Sequence, residues 1–338
     1  MNTAPVVREP SHVPVAHLVR AGLIEGVHHG SVVVLDSDGA VRFTAGDAGT
    51  PCYPRSALKP VQAVGMLRAG LELDEDLLAL AAASHSGEDR HIDGVRRILD
   101  AGGLTPADLR NVPDLPYGAA VQAAWLARGR TADRLAQNCS GKHAAMLLTA
   151  RRRGWSTDDY TDPRHPLQRE LAATVADLAG EPVSRVTVDG CGAPLFAVSL
   201  LGLTRAAARI AAAPEHTPEG RVARAIRRHP EMVAGENRDV THLMQAVPGL
   251  IAKDGFEGVQ VAALPDGRAV GVKIADGGDR ARMPVTAAAL ALCGVDPAAL
   301  ASLADAPVLG GGTVVGGLRV TGALARAVAG NGAATARP

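Results

Sequence analysis

The chain has 338 residues with 35 basic and 35 acidic side chains, and 47% of it is apolar but only 2% aromatic. Zero net charge gives no cationic field for nucleic acid or an anionic membrane surface, and no apolar run approaches the roughly 20 residues that span a bilayer. The N-terminus lacks a signal-peptide core and the four cysteines are too scattered for a secreted disulfide framework, so we expect a cytoplasmic protein with reduced thiols.

Residues 31–45 predict a β-hairpin. Two apolar runs flank Asp38 and Gly39, and an Asp-Gly pair between such runs is the strongest short-range hairpin signal. A helix is then predicted to begin at Ser56, because a serine precedes apolar residues at helical spacing and Pro60 fits the first turns.

The middle of the chain is predicted to be mainly helical, and the last third returns to strands. Helical spacing predicts helices over 74–83, 88–101, 119–128, 141–153, 166–179, 194–213 and 219–232. Further on, the patterns predict strands over 250–253, 259–264 and 269–274, with an Asp-Gly turn at Asp266 and Gly267, and a helix over 283–292. Residues 310–317, GGGTVVGG, fit no phosphate-binding motif and are interpreted as a glycine-rich turn.

Strands at both ends with helices between them predict an α+β fold, with one antiparallel sheet from both termini packed against a helical region. The length allows two domains or one large one, at roughly 100 to 200 residues per domain. We expect one catalytic unit over 1–338, with a sheet portion from 1–55 and 245–330 and a mainly helical portion over 56–244.

Lysine is scarce in this sequence. Only four of the 35 basic residues are lysine, and the other 31 are arginine. Of these two side chains only lysine can lose its proton near neutral pH, so each retained lysine is a candidate for proton transfer or metal binding. The alternative is chance retention at the surface.

The segment Arg55-Ser56-Ala57-Leu58-Lys59 contains a Ser-x-x-Lys pair at the start of the predicted helix. Three residues apart on a helix, the two side chains share one face, and the amine can accept the serine proton. The alternative is a capping serine beside a surface lysine.

Two further segments occur in an order that supports this interpretation. One is ASHSGE around Ser84, which could equally be a helix N-terminus, and the other places Lys253 on a C-terminal strand with Gly255 two residues on. Together with the Ser-x-x-Lys pair, they resemble the motif order of serine β-lactamases and penicillin-binding proteins.

Cys139 and Cys191 are candidates for a metal site. Lys142 and His143 follow Cys139 at helical spacing, and two thiols with one of these groups could supply soft ligands for zinc, with a position left open for water or substrate. The alternatives are inert buried thiols or a disulfide.

Taken together, the motifs RSALKP, ASHSGE, NCSGKHAAML, VDGCGAP and AKDGFEGV resemble those of the rhizobial-type, or class 3, L-asparaginases of the asparaginase II sequence family. The resemblance implies a fold similar to serine β-lactamases and serine glutaminases, and hydrolysis of the side-chain amide of L-asparagine. It implies two Ser-Lys pairs, Ser56 with Lys59 and Ser84 with Lys253. It also implies zinc bound by Cys139, Lys142 and Cys191 with a water, and a substrate site lined by Arg55, Lys142, His143 and Asp189.

Two positions depart from the family pattern. Asp254 stands where a small or hydroxylated residue is common, and Phe256 where a small residue is common. A carboxylate turned toward Lys253 would increase the proton affinity of that lysine, whereas one turned to water would not. Lys273 has no assigned role, and its strand position suggests support of the site or chance.

Two other functions remain open. One is a serine glutaminase or β-lactam acylase on the same scaffold. The other is a non-catalytic protein that binds zinc or senses redox state through Cys139 and Cys191. We expect a homodimer that acts on a small molecule and contacts neither nucleic acid nor membrane.

Overall fold

The computed structural model describes residues 9–335. Its strands are β1 Val13–Arg20, β2 Leu23–Leu35, β3 Val41–Ala45, β4 Pro51–Cys52, β5 Arg185–Val188, β6 Pro194–Ser199, β7 Ile251–Gly255, β8 Val259–Ala263, β9 Ala269–Ile274, β10 Pro307–Gly310 and β11 Thr313–Val320. Its α-helices are α1 Lys59–Arg68, α2 Glu75–Ala81, α3 Asp89–Asp100, α4 Ala119–Ala127, α5 Ser140–Arg152, α6 Pro166–Ala179, α7 Leu200–Ala212, α8 Pro218–Arg228, α9 Pro230–Val233, α10 Asp239–Ala246, α11 Arg282–Leu292, α12 Ala301–Ala304 and α13 Gly322–Thr335. Three 3-10 turns lie at Arg55–Leu58, Pro106–Asp108 and Pro297–Leu300.

The main sheet is antiparallel and contains strands from both ends of the chain. Its order is β10-β11-β1-β2-β9-β8-β7, with β3 also paired to β2. The first half of the long strand β2 pairs with β1 and the second half with β3. Strand β9 also pairs with β2, along residues 30–35 of β2. The prediction of an α+β fold is therefore confirmed. Its division into sheet and helical portions stays a prediction.

Both Asp-Gly hairpin turns are confirmed. Gly39 has φ +82° between β2 and β3, and Gly267 has φ +93° between β8 and β9. These left-handed conformations favour glycine, which has no Cβ to clash with the backbone. The turns make β2 and β3, and β8 and β9, neighbours in the sheet, and β7, with Lys253, pairs with β8 at one edge.

The helices bury the sheet and one another around a continuous core. Helices α7 and α11 pack on the strands, and their many alanines let the backbones lie close to the sheet. In α1 and α5 nearly every residue is buried, including Lys59 and Lys142. The motif residues at the starts of these two helices therefore lie inside the protein, where charged groups need partners.

The helix predicted over 219–232 is interrupted at His229 between α8 and α9, and two further predicted elements were wrong in part. The helix predicted over 194–213 begins only at Leu200, because Pro194–Ser199 form β6 in a second sheet of order β4-β6-β5. A short apolar run fits a buried strand as well as a buried helix, and the side chain of Ser199 caps α7 by accepting from the Gly202 amide. Residues 310–317, interpreted as a turn, lie mostly in β11, which pairs with β1 and β10.

Within residues 9–335, no helix is long and apolar enough to cross a membrane.

Candidate active site

Ser56 lies on a tight turn rather than at a helix start in the strict sense. The 3-10 turn Arg55–Leu58 precedes α1, and Arg55 has φ +52°, a left-handed conformation that is uncommon for a residue with a side chain. Strained backbone of this kind often occurs at functional positions. Gly255 at the end of β7 packs against this turn so closely that a Cβ there would overlap the Pro54 carbonyl oxygen. The turn and β7 are thus held in direct contact.

Lys59 joins three of the predicted motifs. Its side chain is 1% exposed, and Nζ donates to the Ala83 carbonyl at 2.6 Å, to Ser84 Oγ at 3.0 Å and to Cys139 Sγ at 3.0 Å. An ammonium group can donate to all three of these acceptors, and a neutral amine to two of them. Within residues 9–335, no side-chain hydrogen bond is formed by Ser56, and Lys59 is bonded to the other serine, Ser84.

The loop that carries Ser84 is held by neighbouring backbone and by His85. The Ser84 amide donates to the Val233 carbonyl and the His85 amide to the Asn138 carbonyl. His85 Nδ1 accepts from the Gly87 amide, so Nε2 carries the ring proton and donates to Ser140 Oγ at 2.8 Å. This bond ties the Ser84 loop to the first residue of α5, next to Cys139.

Cys139 and Cys191 meet in a buried cluster with Ala193 and do not form a disulfide. The Cys139 thiol donates to Asn138 Oδ1 at 3.1 Å, and its interaction with the Cys191 sulfur, with the nearby Lys142 ammonium, holds the pKa of Cys191 well below its usual range. The neighbouring Cys191 sulfur, together with burial, raises the pKa of Cys139 to about 12. Lys142 Nζ lies 3.4 Å from Cys191 Sγ, which makes these three side chains one polar cluster.

The cluster fits the predicted zinc site in its donor chemistry. Two thiols and an amine are ligands that zinc accepts, and all three side chains are at most 4% exposed. Within residues 9–335 no group of three His, Cys, Asp or Glu side chains is arranged for a metal, so a site here needs Lys142 as the third donor. Binding would release protons, since metal ligands must be deprotonated.

Arg55 and Asp189 form an ion pair beside this cluster. Arg55 Nε donates to Asp189 Oδ1 at 2.7 Å, and the Asp189 side chain is 9% exposed. Burial alone would raise the pKa of Asp189, but Lys142 and Arg55 outweigh it and lower that pKa. The Arg55 guanidinium also lies over the Phe256 ring at 5.4 Å, so the unusual aromatic residue covers one side of the pair.

His143 is fully buried with one ring nitrogen unpaired. Tyr160 OH accepts from the Arg110 amide and lies 2.8 Å from His143 Nδ1, so its hydroxyl proton is donated to that nitrogen. The ring proton is then on Nε2, which is buried without a hydrogen-bond partner in the described part of the chain. Burial, followed by the charge of Lys142, lowers the pKa of His143 to about 3.

Lys253 and Asp254 are both buried at the edge of the main sheet. Lys253 Nζ donates to the Asp254 carbonyl at 2.8 Å and to its carboxylate Oδ1 at 2.5 Å. Asp254 therefore turns inward, which the sequence had left open. Burial lowers the pKa of Lys253 to about 8 although the carboxylate opposes this. No hydrogen bond between Lys253 and Ser84 occurs within residues 9–335.

The sequence model of the L-asparaginase II family matches residues 16–320, which is most of the chain and includes every motif described above. The chain belongs to the L-asparaginase II family. The family assignment predicted from the motifs is thereby confirmed, and the protein is a hydrolase of this family. A comparison with curated proteins finds no match.

This family member is also similar to several solved structures. A β-lactamase from Mycobacterium bovis has 14% identity and a TM-score of 0.46, with 78% of this chain and 94% of that chain covered. The native form of a protein named Mglu has 16% identity and a TM-score of 0.36. The match covers 79% of this chain and 63% of Mglu. EstCE1, a hydrolase with promiscuous acyltransferase activity, has 12% identity and a TM-score of 0.36. The match covers 86% of this chain and 92% of EstCE1.

Two contributors to the site of this asparaginase II family member were missed at the sequence level. Arg238 Nη2 donates to Asp254 Oδ2 at 2.7 Å, and its guanidinium lies 4.6 Å from the centre of the Tyr117 ring. Neither residue stands in a recognisable motif, and only the unusual Asp254 could have pointed to a cationic partner. Lys273 donates to the Glu257 and Ile274 carbonyls, and so supports the turn that carries Phe256.

The buried histidines predict a loss of stability in mild acid. His85 and His143 are neutral in the fold with lowered pKa values, so below about pH 6.5 the unfolded chain binds more protons than the folded one, and for His143 this holds down to about pH 3. The free energy of unfolding therefore decreases as the pH is lowered, by about 1.4 kcal/mol per pH unit for each such histidine. Between pH 7.5 and 5 this amounts to about 4 kcal/mol for the two together.

Urea unfolding at pH 5, 6 and 7.5 measures this effect. We expect His85→Gln to weaken the pH dependence and His216→Gln, at an exposed position, to leave it unchanged. Equal unfolding free energies at pH 7.5 and pH 5 would contradict the prediction.

Proposed function

We propose that the protein is an L-asparaginase, which hydrolyses the side-chain amide of L-asparagine to L-aspartate and ammonia. The observation that carries the proposal is the position of Lys59. This buried lysine follows Ser56 by three residues and bonds Ser84 Oγ at 3.0 Å, so that one amine can serve both serines. Membership of the L-asparaginase II family supports the choice of an amide substrate.

In the proposed reaction Ser56 Oγ attacks the amide carbon and its proton passes to Lys59 in the amine form. The carbon–nitrogen bond then breaks, and ammonia leaves with a proton delivered through Ser84. Water attacks the resulting aspartyl ester, the ester bond breaks, and Ser56 takes back a proton. Lys253 with Ser84 serves the proton transfers at the leaving group and the water.

The substrate is held by groups of both charges. An amino acid carries an ammonium and a carboxylate, and the Arg55–Asp189 pair offers a partner for each. Lys142 adds a second cation. The unpaired Nε2–H group of His143 can donate a hydrogen bond to a substrate oxygen. An uncharged amide without an amino acid backbone lacks the ammonium and carboxylate that these groups can bind.

Zinc would be held by Cys139, Lys142 and Cys191. When bound it supplies a Lewis-acid centre beside the Arg55–Asp189 pair, suited to orienting the substrate, since Ser56 is the nucleophile. The thiolate character of Cys191 and the close approach of Cys139 support this assignment.

Purified protein is expected to carry about one zinc per chain. Cys139→Ser and Cys191→Ser should each lose the metal and weaken substrate affinity more than stability, because a serine hydroxyl is a poor zinc ligand. Cys293→Ser, at a buried position with the same side chain but in the hydrophobic core, is the matched control. Protein free of zinc after growth in zinc-replete medium would contradict the assignment.

Ammonia release from L-asparagine and L-glutamine, with and without a chelator, tests the proposed activity. We expect turnover of asparagine above that of glutamine, and no hydrolysis of a chromogenic β-lactam. Preference for glutamine or the β-lactam would favour the alternative enzymes on this scaffold. Absence of any hydrolysis, with zinc or redox-dependent thiol changes retained, would favour the sensor. A cytoplasmic location and a homodimer stay predictions.

A further inference from the structure

The Lys253 amine is held by a single neighbouring carboxylate. Both of its hydrogen bonds, at 2.8 Å to the carbonyl and 2.5 Å to Oδ1, go to Asp254. The two side chains are 1% and 12% exposed, so water contributes little to their solvation. The position of this amine therefore depends on the position of the Asp254 carboxylate.

Arg238, the residue immediately before α10, fixes that carboxylate from the other side. Its Nη2 donates to Asp254 Oδ2 at 2.7 Å, so the two carboxylate oxygens are divided between one lysine and one arginine. Its Nη1 lies 3.3 Å from the Ser84 carbonyl oxygen. The guanidinium thus connects the carboxylate beside Lys253 to the backbone of Ser84.

Three charged groups act on Lys253, and they do not act in the same direction. Asp254 favours its ammonium form, while Lys59 on α1 and Arg238 oppose it, and Arg282 on α11 acts on Asp254. Lys253 also lines a cavity whose other walls are apolar and include Val61 of α1, Leu203, Ala207 and Ile210 of α7, Ile226 of α8 and Val261 of β8. Sharing Asp254 with Arg238 weakens its hold on the lysine proton.

We propose that Asp254 and Arg238 are positioning residues for Lys253, and that their ion pair sets where the Lys253 amine stands relative to Ser84. This rests on the proposed function, in which Lys253 and Ser84 transfer protons. Asp254 orients the amine, and Arg238 orients Asp254 while holding the Ser84 backbone. The departure of Asp254 from the family pattern would then be matched by Arg238.

Asp254→Asn and Arg238→Gln test the proposal in opposite directions. Removing the carboxylate should lower the pKa of Lys253 below its value of about 8, and removing the guanidinium should raise it. Carbon-13 labelling of lysine at Cε allows direct measurement by NMR, since the chain has only four lysines and Lys253→Arg identifies the signal. The limb of the kcat/KM pH profile that follows Lys253 should shift in the same direction, with kcat lowered about 10- to 100-fold in both variants.

Arg238→Lys is the second variant for the case that Arg238→Gln does not fold. It keeps the positive charge but loses the two-pronged contact, so kcat should fall while the pKa of Lys253 changes little. Arg90→Gln is the control. Arg90 is an exposed arginine that pairs at the surface with Glu236, and Glu236 stands two residues before Arg238 in the chain.

Failure of the positioning role can be distinguished from failure of the proposed function. If folded Asp254→Asn and Arg238→Gln leave the Lys253 titration unchanged, or shift it in the same direction, the positioning role is wrong whatever the activity. If Arg238→Lys retains the kcat of the unmodified protein, the geometric part of the proposal is wrong. If the unmodified protein hydrolyses no amide while the opposite shifts occur, the proposed function fails and the charge arrangement stands.

Discussion

Ser56→Ala is expected to abolish ammonia release from L-asparagine, with a loss in kcat of at least about 10,000-fold. The hydroxyl is the proposed nucleophile, and the remaining site could only orient the substrate for attack by water. Ser56 is partly buried and makes no side-chain hydrogen bond within residues 9–335, so its removal should cost at most about 1 kcal/mol of unfolding free energy. Steady-state ammonia assays and urea unfolding measure the two quantities.

Ser302→Ala, at an exposed position on α12, is the control for replacement of a serine. Ser84→Ala is informative as well, because Ser84 and not Ser56 bonds Lys59 in the resting site. We expect it to lower the rate without abolishing ester formation. Ordinary turnover by well-folded Ser56→Ala would exclude Ser56 as the nucleophile.

Lys59→Arg, Lys142→Arg and Lys253→Arg are each expected to lose a factor of about 100 to 10,000 in activity although the formal charge is kept. Arginine cannot deprotonate near neutral pH, so it can neither accept the serine proton nor coordinate zinc. The three lysines are at most 2% exposed, and a guanidinium is too large for their closely packed surroundings. Ammonia release and zinc content are the measurements.

Lys273→Arg is the internal control. Its amine is partly exposed and donates to two backbone carbonyls, and arginine can replace those hydrogen bonds. We expect a small effect, limited to the turn that carries Phe256. Near-normal activity in all three buried variants would mean that the scarcity of lysine carries no functional information.

The local patterns of the sequence predicted many of the elements that carry the site. Asp-Gly turns identify the two hairpins because glycine is favoured at φ near +80°, and helical spacing identifies α1 and α5 with their lysines. The prediction for Pro194–Ser199 was wrong because its five consecutive apolar residues show no period that separates a buried strand from a helix.

The contacts of the site depend on tertiary packing and could be predicted only in part. That Cys139, Lys142 and Cys191 meet followed from the resemblance, and the structure brings them together. The bond of Lys59 to Ser84 had no local signal, because 25 residues separate them in the chain. The role of Arg238 could not be predicted for the same reason, since only the folded chain brings it to Asp254.

Rapid acid quenching of the enzyme during turnover of L-asparagine, followed by peptide mass analysis, tests the central claim most directly. The proposed mechanism predicts a mass gain of one aspartyl group on the peptide that contains Ser56, absent from Ser56→Ala and reduced in Lys59→Arg. An aspartyl group on the peptide that contains Ser84, or ammonia release at the normal rate by Ser56→Ala, would contradict it.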